Sequence, residues 1–395
     1  MTTSLANKLR ETHVAMHEMA RILNDTEYRT QYHTDLSPLG WHVGHCVFIE
    51  SYWLREVILG DDSLTADLAW LYIPENIVKP KRGPALPPID EHLQWCKKII
   101  NENQLILSEP TNQFTQHKLN QHDYILQFLI QHHCQHIETM AMVLAQRQLQ
   151  IRPALLEKNS FSESDTIKYK FNEYSGGDFI VGSPSHPEAF DNEVPPKKIS
   201  IDSFLLAEHP VTNADWLCFV QDDGYKNKSW WMPEGWQWRT ENNICQPETW
   251  LTDEEKEFYE VTTKGAENIK TDAAVSGINY FEANAFIKWL SANSNEFANI
   301  RLPHEYEWEV AKQSGILNNT GHVWEWCQNT FHPYPGFTPF PYDNYSKPWF
   351  DDNHYSLRGG SQHTRTSIQR SSFRNFYNPD KRHIFSGLRL AKSPD

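Results

Sequence analysis

The chain has no Cys-x-x-Cys pair, and its six cysteines, Cys46, Cys96, Cys134, Cys218, Cys245 and Cys327, are scattered. That argues against a disulfide framework and for reduced thiols in a cytoplasmic protein. No apolar run approaches the roughly 18 residues that a membrane helix needs. The first segment, Met1 to Leu23, has no uninterrupted apolar core, so neither a signal peptide nor an anchor is expected there. No dense Lys/Arg run occurs. With 36 Lys plus Arg against 51 Asp plus Glu, the net charge is −15. Such a chain is a poor partner for nucleic acid or a membrane surface.

What is abundant is histidine, at 19, and tryptophan, at 15 in 395 residues. The length favours two domains. Up to about residue 155 the pattern is helical and glycine is nearly absent. Apolar residues recur at three and four spacing over Leu5–Leu23, His42–Leu59, Ile89–Leu107 and His122–Leu149. Prolines fall between these segments, at Pro38 and from Pro80 to Pro88. An antiparallel four-helix bundle over 1–155 is expected, with one long loop from Asp61 to Pro88. Residues 156–168 are polar and non-periodic and read as a linker. From 169 to 395 glycine, proline, tryptophan and short β-type runs such as Lys198–Leu205 dominate. Helices are expected at Asn213–Asp222 and Tyr280–Asn293, with Asn213 and Asn279 as N-caps. The fold class expected is therefore a helical bundle followed by an α+β domain.

The chemistry is carried by Gln131-His-His-Cys-Gln-His-Ile-Glu138. His132 and His136 stand at i and i+4, so both imidazoles project from one helix face and can reach one ion. A third ligand is available from Trp41-His-Val-Gly-His45 on another helix. Two histidines from one helix and one from a neighbour give a facial three-nitrogen site with open positions. Glu138 and Gln135 are candidates for orienting the ligands. His42 and His133 compete with His45 and His136, each lying three residues earlier. Three neutral imidazoles suit zinc, iron, copper or nickel alike.

Ser37-Pro-Leu-Gly-Trp-His-Val-Gly-His45, together with His132, His136 and Glu138, resembles the DinB-like domain of the ergothioneine-pathway sulfoxide synthases. The second half resembles the formylglycine-generating-enzyme-like domain that follows it in that family. The likeness rests on Gly176–Gly182, Phe190–Glu193, Pro210–Asn213, Asp223–Tyr225, Glu234–Trp236, Val275–Ala283, Arg301–Trp308, Gly321–Trp326, Leu357–Ser361, Phe373–Asn375 and Gly387–Arg389. The resemblance implies a four-helix bundle joined to a C-type-lectin-like α+β domain, with Fe(2+) at His45, His132 and His136. The implied reaction is oxygen-dependent joining of a thiol, γ-glutamylcysteine or cysteine, to the imidazole of hercynine, the trimethyl betaine of histidine, with sulfoxidation. Selenoneine synthases, which use a selenium donor, belong to the same group. An ovothiol-type enzyme usually carries an added methyltransferase domain. Simpler DinB-like proteins use a three-histidine site for zinc- or nickel-dependent thiol transfer. Lectin-like folds also serve as binding modules without chemistry.

By the same likeness Gln135 would help hold the imidazole, and Asn375 would line the betaine pocket. Well-known members read Arg-Asn-Trp-Asp where this chain reads Arg374-Asn375-Phe376-Tyr377. The carboxylate is missing, but Phe376 and Tyr377 can hold a trimethylammonium by cation–π attraction, worth roughly 0.5–2 kcal/mol. A catalytic tyrosine is expected in Tyr334–Tyr342, with Tyr342 the first candidate and Tyr334 the second; Phe340 competes for the same register. Lys79, Lys81 and Arg82 stand where relatives carry cations for the donor's carboxylates. Formylglycine generation itself needs a cysteine pair near the C-terminus, and no cysteine follows Cys327.

Overall fold

In a computed structural model the described residues are 3–155, 167–184 and 189–394. They divide into two compact units, the first ending at Ile151 and the second starting at Arg152. The segment expected as a linker, 156–168, lies outside the described residues except for Ile167 and Lys168.

The first unit is built on four long helices: α1 (Thr3–Arg21), α2 (Leu39–Ser51), α3 (Ile89–Ser108) and α4 (Tyr124–Ile151). Helix α1 packs on α4, and α2 packs on both α3 and α4. The sequence dictates these places. Helix α1 has a single apolar stripe, with Leu9, Met16 and Ala20 buried. Helix α2 is buried along almost its whole length and sits at the centre of the bundle. It continues through a wider π-helical segment, Tyr52–Leu59, and stops at Gly60, whose φ of 75° suits glycine. Two further glycines explain how α2 is reached from outside. A Cβ at Gly40 or Gly44 would run into the rings of Tyr28 and Tyr72 respectively. Their absence lets both tyrosines lie flat against the helix.

The expected long loop, Asp61 to Pro88, is instead partly helical. It holds Ala69–Tyr72, a 3-10 turn at Pro74–Asn76, and Lys79–Ala85. Proline starts the last of these rather than breaking it: Pro80 lies in its first turn, where no N–H is needed.

The second unit has two four-stranded sheets. One runs, in spatial order, 171–174, 204–207, 391–392, 300–301; the other 375–377, 355–358, 324–330, 386–387. A hairpin of Gly177–Val181 with Lys197–Ile201 and a three-stranded sheet over 250–267 complete it. The run expected as one strand, Lys198–Leu205, is split at Asp202 and Ser203, and its halves join different sheets. Helix Tyr280–Asn293 begins at an Asn279 cap, whose side chain accepts the Glu282 N–H. Helix Asn213–Gln221 is capped by Thr212, not Asn213. The Thr212 hydroxyl accepts the Asp215 N–H, while Asn213 donates to the Lys270 carbonyl at 2.9 Å. Among the described residues no helix is long and apolar enough to cross a membrane. No disulfide joins any of the cysteines.

Buried ion pairs hold the second unit. Arg358 donates to Glu305 at 3.0 Å and Glu309 at 2.9 Å. Arg374 grips both Glu305 oxygens at 2.9 and 2.7 Å. Arg389 donates to both Glu325 oxygens at 2.7 Å. Glu305 is pushed up by burial, but Arg374 and Arg358 outweigh that and hold it at about 2.

Candidate metal centre

Helix α2 presents His45, and α4 presents His132 and His136 one turn apart. One nitrogen from each lies within 4.8 Å of the others. The ring centroids are 5.2 Å apart for His45–His132, 4.7 Å for His45–His136 and 4.5 Å for His132–His136.

The outer nitrogens of His45 and His136 are engaged. His45 Nδ1 donates to the Tyr72 carbonyl at 2.7 Å. His136 Nδ1 meets His42 Nδ1 at 3.0 Å, and His132 Nδ1 lies 3.5 Å from His133 Nδ1. This leaves Nε2 of each ring for an ion, the arrangement in which a second partner fixes tautomer and ring plane. His45 is braced further. The Trp41 ring stacks on it at 4.6 Å and 14°, and the Arg82 guanidinium lies 4.0 Å over Trp41. Behind Tyr72, His92 bridges the hydroxyls of Tyr72 at 2.7 Å and Tyr28 at 2.8 Å.

Burial makes the cluster neutral. It lowers His45 to about 4 and His42 to about 3, and it takes His132 and His136 well below the ordinary histidine range. A ligand set of neutral imidazoles is the form that binds a cation without first releasing protons. The two competitors from the same motifs take other places: His42 backs His136, and His133 turns to Glu50, 3.3 Å from its Oε2.

Glu50 and His13 carried no signal in the sequence. His13 Nε2 meets Glu50 Oε2 at 2.7 Å, and Asn103 donates to Glu50 Oε1 at 3.0 Å. Burial pushes the Glu50 carboxyl up, but His13 and His133 outweigh it and hold Glu50 well below the usual carboxylate range.

The remaining expected residues belong to several elements, some in each unit. Gln135 is half-buried on α4. Lys79 and Lys81 lie on the Lys79–Ala85 helix, Lys81 exposed. Arg82 is not a solvated loop cation. It is buried, and it donates to the Ile77 carbonyl, the Ser37 hydroxyl and the Pro74 carbonyl at 3.1, 2.6 and 2.8 Å. The Trp41 stack and these bonds make it a brace for His45. In the second unit Asn375, Phe376 and Tyr377 form an edge strand on Tyr355–Arg358. Phe376 stacks on Phe331 at 4.3 Å, and Tyr377 meets His383 edge-on at 6.4 Å. Tyr342 is 38% exposed, whereas Tyr334 is 2% exposed. Tyr334 packs with Val181, Ile199 and Val310, under the Arg374 guanidinium at 4.4 Å. That is a core position, where burial pushes the phenol well above its ordinary value.

Comparison with known proteins agrees with this division. Residues 8–140 match the DinB superfamily, and residues 173–320 and 312–394 match the sulfatase-modifying factor enzyme 1-like domain. A hercynine oxygenase of Mycolicibacterium smegmatis is 30% identical over 93% of this chain and 94% of its own. This chain belongs to the hercynine oxygenase family. The hercynine oxygenase of Mycobacterium tuberculosis is 28% identical over 93% of this chain and 94% of its own. Ergothioneine biosynthesis protein 1 of Schizosaccharomyces pombe is 25% identical over 52% of this chain and 28% of its own.

Proposed function

We propose that this hercynine oxygenase relative is a sulfoxide synthase that holds iron(II) on His45, His132 and His136 and joins a thiol donor, γ-glutamylcysteine or cysteine, to the imidazole of hercynine. The observation that carries the reading is the three-histidine cluster in a chain similar over 93% of its length to hercynine oxygenases. The donor set fits the ion: three neutral nitrogens on one side, with the outer nitrogens of His45 and His136 already engaged.

When bound, iron(II) supplies the redox chemistry with dioxygen and a point of attachment for sulfur. The overall change balances. A ring C–H and a thiol S–H are lost, a C–S bond forms, one oxygen atom goes to sulfur and the other leaves as water. Dioxygen accepts the four electrons. The protein's own contribution is placement, since holding both substrates together removes much of the entropic barrier to joining them. Tyr342 is assigned the proton transfer. Gln135 is assigned the imidazole, and Asn375, Phe376 and Tyr377 the betaine, whose cation the two rings attract. Lys79 and Lys81 are assigned the donor's carboxylates.

The test is to load the protein with iron(II) anaerobically and supply hercynine with cysteine, γ-glutamylcysteine or a selenosugar, reading dioxygen uptake with product mass. A hercynine–sulfur adduct carrying one added oxygen is expected. A selenium adduct alone would reassign the donor. No uptake from protein that retains iron would overturn the oxidative reading.

A further inference from the structure

We propose that His13, Glu50 and His133 form a second metal site, for a divalent transition ion of the zinc type, within the same bundle. Three helices contribute: α1 gives His13, α2 gives Glu50 and α4 gives His133. One atom from each lies within 4.8 Å of the others, and all three side chains are buried.

The geometry is that of ligands around an ion. Glu50 Oε2 is shared, with His13 Nε2 at 2.7 Å and His133 Nε2 at 3.3 Å. Ligand atoms about 2.0–2.2 Å from a tetrahedral metal stand about 3.3–3.6 Å from one another; the His133–Glu50 separation falls in that range, and the His13–Glu50 pair, at hydrogen-bond length, opens by about 0.6 Å to admit the ion. The His133 contact is a close approach without the direction of a hydrogen bond. Its Nε2 is fully buried and has no hydrogen-bond partner. An ion between the three atoms gives that nitrogen the partner it lacks. The carboxylate is already oriented from behind. Asn103 donates to Glu50 Oε1 at 3.0 Å, and Arg55 fixes Asn103 by donating to its Oδ1 at 2.9 Å. Such outer partners set a ligating carboxylate in place. Two imidazoles and one carboxylate are a ligand set that zinc and its neighbours accept. The ion would clip three of the four helices together.

Metal-free full-length protein is equilibrated with zinc(II) alone, washed, and its zinc counted by mass spectrometry. Two equivalents are expected for the wild type, one for Glu50→Gln, one for His132→Ala, and none for the double variant. Asn103→Ala is expected to keep both but to bind one about 10–100-fold more weakly. A single equivalent in the wild type that His132→Ala abolishes overturns the second site, even if Glu50→Gln does not fold. Two equivalents retained in Glu50→Gln overturn it as well. Because His132→Ala reports separately on the three-histidine cluster, failure of either site is distinguishable from failure of the other.

Discussion

In the helical unit the three clustered imidazoles, His45, His132 and His136, are kept neutral by burial, and one nitrogen of each lies near a shared centre. In the second unit the buried polar groups are charged, and Arg358, Arg374 and Arg389 each lie on carboxylates. Both arrangements avoid an orphaned buried charge, by opposite means. The first leaves lone pairs that only an added cation can use. The second spends these arginines on its own carboxylates. The contrast separates a binding centre from a frame.

Removing one partner in each unit gives the sharpest break. His132→Ala is expected to abolish measurable iron retention and turnover, a loss of at least about 100-fold, while the fold persists; metal analysis with circular dichroism checks it. Glu305→Gln leaves two guanidiniums without their shared carboxylate. It is expected to cost about 3–5 kcal/mol of stability by denaturant unfolding, with iron per folded molecule unchanged.

Acidification sharpens the same contrast. His45 moves from 6.5 to about 4 on folding, so below pH 6.5 the unfolded chain takes up a proton that the folded chain refuses. Stability of the metal-free helical unit should therefore be full above 6.5 and fall as pH drops toward 4. Each such histidine contributes about 1.4 kcal/mol per pH unit once well below 6.5. Glu305, held at about 2 against 4.5 when unfolded, begins to lose its contribution only below about pH 5, so it changes little between pH 7.5 and 5.5. Urea midpoints at pH 7.5 and 5.5 measure the effect, and iron loading should flatten it. Least of all, Lys81→Ala on its exposed helix should raise the donor's KM a few-fold, about 0.5–1 kcal/mol, with kcat unchanged. Equal KM values would remove Lys81 from the donor site.

Spacing within one helix was enough to group His132 with His136, and α2 contributed His45 because the Trp-His-x-Gly-His run is short and distinctive. Spacing could not say which histidine of each pair faces the centre. That depended on Tyr72 reaching over Gly44, and on Glu50 drawing His133 away. Both are contacts between separate elements, which periodicity does not report. The resemblance groups Arg82 with Lys79 and Lys81 as a cation for the donor's carboxylates; what sets Arg82 apart is Trp41 and the carbonyls of Pro74 and Ile77, which come round it from other turns of the chain. Tyr334 was named from its neighbourhood in sequence, but its packing was set by Val181 and Val310, far away in the chain. At helix starts the error was a single residue. Thr212 and Asn213 are both competent caps, and the Asp215 N–H chose the former.

The most direct test of the three-histidine centre is iron K-edge absorption spectroscopy on the iron(II)-loaded protein, with and without the thiol donor, in the wild type and in Glu50→Gln. The account predicts scattering from three imidazoles, a sulfur neighbour on adding thiol, and the same spectra in Glu50→Gln. A first shell of two imidazoles and a carboxylate that disappears in Glu50→Gln would contradict it, because the iron would then sit at His13, Glu50 and His133 instead.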